Sequence, residues 1–466
     1  MLPASVFRCQ TLRVLEHNNY EFGANSITAF QGCVNLTTLK LISVRMSTPD
    51  SLFTIISNCG FLENLSLCSC TGLIDLKINS HHKLKFLELR SLFLENMVIC
   101  GKGVTILLLD HVSIGSTSVY IKCPNLRLLR FNKCRNFTIS EIFKGCYDLD
   151  QSLLPASVHR CDTLRVLELG SEDNKLIPES IAAFQGCVHL TTLKLIHIPI
   201  SPDSLFRIKS HCEFLENLSL CSCIGLNVLK ISDHKLKFFE LRNFDTNEVD
   251  ICGNGVTVLV VHNVETSSRR FFINCPNLRV FQAHKNITNL TNSEIQKDIT
   301  NLTNSEILER CSGLLRSSTE HGGDYLSMAN LRELCTELDL NDLRDNVLLA
   351  FIFSASAHLQ KIYITNQANA NSRERKLPYD QAKFWEKREL SDSITHQLRV
   401  VWIRGFAGKE REMRLASHLI KNATMLEKIV IQWNYNRSPE RVVAAKVLQS
   451  LPKASKNASV ILEPGH

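Results

Sequence analysis

The sequence repeats itself, and repetition confines a chain to architectures in which each unit buries its apolar face against the next one. The unit is Leu-x-x-Leu-x-Leu, beginning at Leu12, Leu36, Leu62, Leu84, Val104 and Leu126, and again at Leu164, Leu190, Leu215, Leu236, Val256 and Leu278. Its period-2 end predicts a short strand with one buried face. Successive units start 20 to 26 residues apart, room for one strand and a return segment. A single unit cannot cover its own leucines, so neighbours must stack and their strands must run parallel.

A larger repeat lies over the small one. Leu2-Pro3-Ala4-Ser5-Val6 returns as Leu154-Pro155-Ala156-Ser157-Val158, the stretch from Phe61 to Cys70 returns unchanged from Phe214 to Cys223, and Cys123-Pro124-Asn125-Leu126 returns as Cys275-Pro276-Asn277-Leu278. The second copy carries an internal duplication of 12 residues, with Ile-Thr-Asn-Leu-Thr-Asn-Ser-Glu-Ile at 287–295 and 299–307. The period fits the leucine-rich-repeat class. The expected fold is α/β: a leucine-rich-repeat solenoid with a curved parallel sheet, ribonuclease-inhibitor-like. Its expected parts are a first copy over 1–152, a second over 153–315, a further repeat-like segment with a charged loop over 316–395, and a closing α/β domain over 396–466. We expect the sheet to continue across the junction at Asp148–Leu154.

Each copy holds an extra short unit, Leu73-x-x-Leu76-x-Ile78 and Leu226-x-x-Leu229-x-Ile231, only 11 residues after its predecessor. That spacing has no room for strand plus helix, so part of the outer wall is expected to be extended. In the tail the strand pattern becomes Leu359-x-x-Ile362-x-Ile364, Leu398-x-x-Val401-x-Ile403 and Leu426-x-x-Ile429-x-Ile431, with a last strand at Ser459–Leu462. Residues 366–390 read as an exposed charged loop. Lys409 to Ala423 reads as a helix, and Ser438 with Pro439 as the start of another burying Val442, Val443, Val447 and Leu448.

The 18 cysteines are mostly positional. Ten stand three residues before a first leucine, among them Cys9, Cys33, Cys59, Cys123, Cys187, Cys212 and Cys275; Cys70, Cys134 and Cys223 stand three after a last one. Cysteine is a small, often buried hydrophobe, and reduced thiols at the turn corners account for this spacing. No C-x-x-C occurs, so no metal site is expected.

Leu398-Arg-Val-Val-Trp-Ile-Arg-Gly-Phe406, Gly408-Lys-Glu-Arg-Glu412, Leu419-Ile-Lys-Asn-Ala423 and Leu426-Glu-Lys-Ile-Val-Ile431 resemble the FBD module that closes plant F-box/leucine-rich-repeat proteins. Leu448-Gln-Ser-Leu-Pro-Lys-Ala-Ser455 is similar to its last helix, and Leu2 to Leu15 to the start of the repeats in that family. The resemblance implies repeats that hold a protein target and an N-terminal F-box that docks on a Skp-type adaptor of a cullin ubiquitin ligase. No F-box is visible ahead of the first repeat, so a Skp-type adaptor is expected only if an F-box lies upstream.

Composition narrows the function. Lys+Arg number 53 against 46 Asp+Glu, a formal charge of +7 with the signs interspersed, so nucleic acid is not an expected partner. No apolar run reaches the roughly 18 residues of a membrane span. Met1 to Arg8 lacks the basic and apolar regions of a signal peptide, which points to the cytoplasm or nucleus. The phosphate-binding, nucleophile-elbow and zinc motifs of enzymes are absent, so catalytic residues and cofactors are expected to be none.

What remains is the open sheet face. The third and fifth positions of each unit alternate onto it, and the candidate partner-binding residues are Phe86, Glu88, Arg130, Phe238, Glu240, Gln282, Trp402 and Arg404. Val400, Lys428 and Val430 share the register of Trp402. Phe86 and Phe238 are aromatics among Lys, Glu, Asn and Ser, the composition of an interface anchor, although each could instead pack on its neighbouring strand. The reading is a non-enzymatic protein-binding scaffold. A small-ligand or hormone co-receptor of the F-box repeat type would need several cations in one pocket, whereas Lys40, Arg130 and Lys194 are separated by acids. A truncated, duplicated gene product without a partner is the third possibility.

Overall fold

Several units enter their strands through one kind of turn. The N–H of the first leucine donates to the carbonyl of the cysteine three residues before it, from Leu12 to Cys9 at 3.1 Å, Leu36 to Cys33 at 3.1 Å, Leu62 to Cys59 at 3.0 Å, Leu126 to Cys123 at 3.2 Å and Leu278 to Cys275 at 3.0 Å. A hydrogen bond between residues i and i+3 defines a β-turn, and the cysteine spacing is the span of that turn. Met328 takes the same place before Leu331. At three of these turns an asparagine just before the first leucine ties the turn to the coil below: Asn35 Nδ2 donates to Gln10 O at 2.9 Å, Asn125 to Lys102 O at 2.7 Å and Asn277 to Asn254 O at 2.7 Å.

A second feature recurs just past the ladder residues, either at the end of a strand or within a long one. Asn19, Ser43, Ser69, Ser91, His111, Lys133, His197, Ser222, Asn243 and Asn263 all have φ between 49° and 55°. A left-handed non-glycine residue costs roughly 1–2 kcal/mol. An inter-coil bond offsets that cost in several units: Asn19 N–H donates to Ile42 O at 3.0 Å, Ser43 to Cys68 O at 2.8 Å and His197 to Cys221 O at 2.8 Å.

The computed structural model describes residues 9–22, 32–46, 51–79, 82–115, 119–136, 162–170, 184, 187–284, 328–367, 384–385, 392–433, 443 and 446–464. The chain divides into two units, Met1–Gly225 and Leu226–His466.

The first unit holds β1 (Val14–Asn18), β2 (Glu21–Phe22), β3 (Thr38–Ile42), β4 (Arg45–Met46), α1 (Ser51–Asn58), β5 (Asn64–Cys68), β6 (Asp75–Asn79), β7 (Phe86–Leu94), β8 (Asn96–Cys100), β9 (Ile106–Ile114), β10 (Val119–Lys122), β11 (Leu128–Asn132), β12 (Val166–Gly170), β13 (Thr192–Ile196), α2 (Pro202–His211) and β14 (Asn217–Cys221). Its main sheet runs β1-β3-β5-β7-β9-β11-β12-β13-β14, every neighbour parallel. Strand β11 pairs directly with β12, from Leu128 opposite Val166 to Asn132 opposite Gly170, so the sheet crosses from the first copy into the second. The junction at 148–154 itself lies outside the described residues.

The leucines form ladders under this sheet. Leu39, Leu65, Leu87, Leu107, Leu129, Leu167, Leu193 and Leu218 stand opposite one another strand by strand, and all are buried. Burying one such side chain contributes about 1.5–3 kcal/mol. The short extra unit forms β6, which pairs in parallel with β8 and β8 with β10 in a separate three-stranded sheet. That part of the wall is extended, as the 11-residue spacing requires.

The second unit holds β15 (Val228–Ser232), β16 (Phe238–Cys252), β17 (Val258–Asn274), β18 (Val280–His284), β19 (Glu333–Leu338), α3 (Leu343–Ala355), β20 (Lys361–Asn366), α4 (Asp392–Gln397), β21 (Val400–Phe406), α5 (Glu410–Asn422), β22 (Lys428–Trp433) and β23 (Ser459–Pro464). Here β15 pairs with Glu248–Cys252 of β16, the counterpart of β6 on β8. The parallel order continues from β16 through β23.

A buried polar cluster fastens the tail. The Glu412 carboxylate, fully buried, accepts from Asn341 Nδ2 and Asn366 Nδ2 through Oε1, each at 2.8 Å, and from Ala407 N through Oε2 at 2.7 Å. Gly405 sits beside it with φ +74°, and a Cβ there would meet Asn366 O at 2.4 Å. The sequence reading missed this cluster because Arg411 and Glu412 lie on a strongly charged helix.

Two tail expectations need correction. Phe384 and Trp385, inside the stretch read as an exposed loop, are buried, and Trp385 Nε1 donates to Asn346 Oδ1 at 2.8 Å. Large aromatics in a polar stretch anchor it. In the final helix segment Leu448 is buried, whereas Val443 and Val447 are exposed; the expected start at Ser438 lies outside the described residues.

Candidate functional site

The pleat sends alternate residues of each strand away from the leucine ladders, and parallel pairing lines them up into rows. In the first unit one row reads Val14, Thr38, Asn64, Phe86, Ile106, Leu128, Val166, Thr192, Asn217, and the next Glu16, Lys40, Ser66, Glu88, Leu108, Arg130, Glu168, Lys194, Ser219.

Phe86 is half-buried between Asn64 and Ile106. Two residues on, Glu88 accepts from Ser66 Oγ at 2.6 Å and pairs with Arg90 at 3.1 Å; Arg90 also reaches Asp110 at 3.4 Å. Arg130 lies two strands from Glu88, with Leu108 between them. Its Nε donates to Glu168 Oε2 at 2.5 Å, and this bond raises the guanidinium above its ordinary range. Lys40 is raised likewise by its bond to Glu16 at 2.7 Å. The charges of this face are therefore largely matched in pairs.

The rows of the second unit are more apolar. Phe238 stands half-buried opposite Val258, and Val258 opposite Val280. The neighbouring row reads Glu240, Val260, Gln282, Cys335, Tyr363, Trp402, Val430, Ile461. Glu240 is buried and bonded by Arg242 Nε. Gln282 and Trp402 share the row, separated by Cys335 and Tyr363. The Trp402 ring stacks on Tyr363, centroids 6.5 Å apart and 27° between planes, and Lys428 Nζ lies 5.5 Å from the Trp402 centroid. Arg404 is exposed, and its Nε donates to Gln432 Oε1 at 2.9 Å.

Tyr363, Arg90 and Asp110 were absent from the sequence-derived set. Tyr363 follows from applying the alternation to Leu359-x-x-Ile362-x-Ile364. Arg90 and Asp110 follow from carrying it one step past the third leucine, which places them opposite each other.

Among the described residues no group of three or more His, Cys, Asp or Glu could hold a metal ion, and no helix is long and apolar enough to cross a membrane.

A family model described as At1g61320/AtMIF1, LRR domain, matches residues 133–460, and another described as FBD-associated F-box protein At5g56370, LRR repeats, matches residues 1–135. The chain is 25% identical over 385 residues to the Putative F-box/FBD/LRR-repeat protein At4g03220 of Arabidopsis thaliana, covering 72% of this chain and 76% of that one. The crystal structure of the TLR13-ssRNA13 complex matches 97% of this chain with a TM-score of 0.51 at 15% identity, and the chain spans 60% of that protein's length. The Leptospira interrogans LRR protein LIC12759 matches 98% of this chain and 97% of its own at 13% identity, with a TM-score of 0.40. The TLR13 likeness shows the leucine-rich-repeat fold alone.

Proposed function

The chain belongs to the At1g61320/AtMIF1 LRR-domain family and is related to F-box/FBD/LRR-repeat proteins, and from that footing we propose that it is a non-enzymatic scaffold whose open sheet faces hold a protein target. The observation that carries this reading is the placing of half-buried aromatic side chains in the ordered rows of the open faces, each with a polar or charged neighbour: Phe86 beside Asn64, and Trp402 against Tyr363 under Lys428. Half-buried aromatics with polar groups beside them are frequent anchors of interfaces, because they supply apolar contact without exposing a large patch.

The repeats would act as the target-recognition part of an F-box ubiquitin ligase subunit, with residues 396–466 as an FBD-like closing domain. A Skp-type adaptor would be engaged only through an F-box upstream, and the site of action would be the cytoplasm or nucleus. The parts over 1–152, 153–315 and 316–395 would present successive stretches of recognition surface.

A photo-crosslinking amino acid placed at Phe86, Phe238 or Trp402 tests the reading. It should join the chain to one protein target, whereas the same probe at Phe53 or Phe206, exposed on α1 and α2, should not. Crosslinks from the helices and none from the sheet faces would overturn it.

A further inference from the structure

Two cations beside Trp402 lack the carboxylate partners that most cations of the first unit's face have, Lys194 being the exception there. In the first unit Lys40, Arg90 and Arg130 each have a carboxylate partner. Lys428 and Arg404 make no ion pair among the described residues: Lys428 lies over the Trp402 ring, and Arg404 uses one N–H on the neutral Gln432. The third cation, Lys361, is paired with Glu333 at 3.7 Å. The other acids near the patch are Glu337, which accepts from Gln367 Nε2, and Glu463, in register with Gln432.

Resting on the reading of the sheet face as a docking surface, we infer that this patch takes an extended acidic segment of a protein partner. An apolar side chain would lie on Trp402, with an acidic residue two positions to either side of it. Register sets that spacing. Lys428 stands opposite Val400, two residues before Trp402, and Arg404 stands two residues after it. At roughly 3.3 Å per residue the backbone positions that carry the two cations, on neighbouring strands, are about 13 Å apart along the strand direction, and the Lys428 side chain reaches from its end toward the ring. An extended peptide running parallel to β21 places the side chains of residues i and i+4 at that same distance. Stacking on the tryptophan and Coulomb attraction at both ends then act on one five-residue stretch. A nucleic-acid strand carries charge along its whole length and would be driven against Glu333 and Glu463, so isolated cations fit discrete carboxylates better.

The test is selection of a displayed random 12-residue peptide library on the full chain. Counter-selection uses Trp402→Ala and the double variant Arg404→Glu/Lys428→Glu, with an unchanged thermal melt required of both. The expected result is enrichment of sequences with acidic residues four apart around an apolar one, and at least tenfold weaker capture of those clones by either variant. Clones that depend on Trp402 but carry no acidic bias would overturn this inference and leave the docking reading standing. Binding of a single-stranded oligonucleotide, lost in the double variant, would overturn it in favour of nucleic acid. A library yielding no clone sensitive to either variant would also overturn it, and only the crosslinking result would then decide the broader reading.

Discussion

Arg130 Nε donates to Glu168 Oε2 at 2.5 Å and thereby bonds the last described strand of the first copy to the first described strand of the second. In the first copy the equivalent acid, Glu16, pairs with Lys40 at 2.7 Å. Lys194 occupies the place of Lys40 beside Glu168 but makes no ion pair among the described residues, because Arg130 holds the carboxylate. Duplication has therefore produced a contact that neither copy has alone, and the two copies are not equivalent in charge.

Removing Arg130 should let Lys194 recover Glu168. Both groups of the existing pair are partly exposed, with side-chain exposures of 41% and 23%, so Arg130→Ala should cost less than about 1 kcal/mol. Lys194→Ala should be neutral in the native background and destabilising in the Arg130→Ala background. A double-mutant cycle in urea checks this. Strict additivity would mean that Lys194 does not reach Glu168.

The buried thiols set an alkaline limit on stability. Burial pushes Cys59, Cys134, Cys212 and Cys275 from an ordinary 9.0 up to about 12, and Cys223 to about 11. The folded state then holds these protons more tightly than the unfolded state. The resulting contribution is complete below about pH 9 and is lost as pH rises toward 12. Urea midpoints should be flat from pH 7 to 8.5 and fall by pH 10.5. Alkylation of the native chain at pH 8 should be fastest at Cys9, whose thiol is lowered by its hydrogen bond to Thr11, and slow at the corner thiols. Rapid native labelling of Cys59, Cys134 and Cys212 would contradict corner burial.

The repeat was legible because strand, turn and core all follow one short pattern. Leucine spacing gave the ladders, and cysteine spacing marked the turn that the Leu12 and Leu36 N–H groups close. The left-handed residues were not legible. Ser43, Lys133 and His197 have no shared side-chain chemistry, and each makes a backbone bond to the next coil that only stacking creates. On the candidate site, alternation placed Phe86 and Trp402 in their rows, but it could not tell that Glu240 is covered while Glu16 is exposed. Arg242, two residues from Glu240 on the same strand, folds back onto it, whereas Glu16 has no arginine at the corresponding position, which is Asn18.

Glu412 is the residue whose loss should damage the second unit most. Its carboxylate satisfies two side-chain amides and the Ala407 N–H in a site without exposure. Glu412→Ala strands those donors and opens a void, an expected loss of about 3–5 kcal/mol. Glu412→Gln should also destabilise, because its amide must turn an N–H toward donors. Gly405→Ala, strained by φ +74° and the approach of Asn366 O, should cost roughly 1–3 kcal/mol. Denaturant unfolding followed by the emission of buried Trp385 reports on all three. A Glu412→Ala protein as stable as the parent would show that the cluster contributes no net stability.

The last prediction separates anchors from core. Phe86, Phe238 and Trp402 are half-buried, so part of each ring already packs on the sheet and part remains available. For the target identified by crosslinking, truncating an anchor should weaken binding by about 2 kcal/mol or more, roughly 30-fold, whereas Lys40→Ala and Glu168→Ala should cost less than about 1 kcal/mol. Thermal melts of the three aromatic variants should stay close to the parent's. Phe86→Ala acts on the first unit, and Phe238→Ala and Trp402→Ala act on the second. A target that spans both units should lose affinity in all three variants, and one held by a single unit should be sensitive to that unit's variants only. If binding and the melt fall together, the rings belong to the core, and the anchors must be sought among the neighbouring row residues, Asn64 and Ile106 in the first unit and Tyr363 in the second.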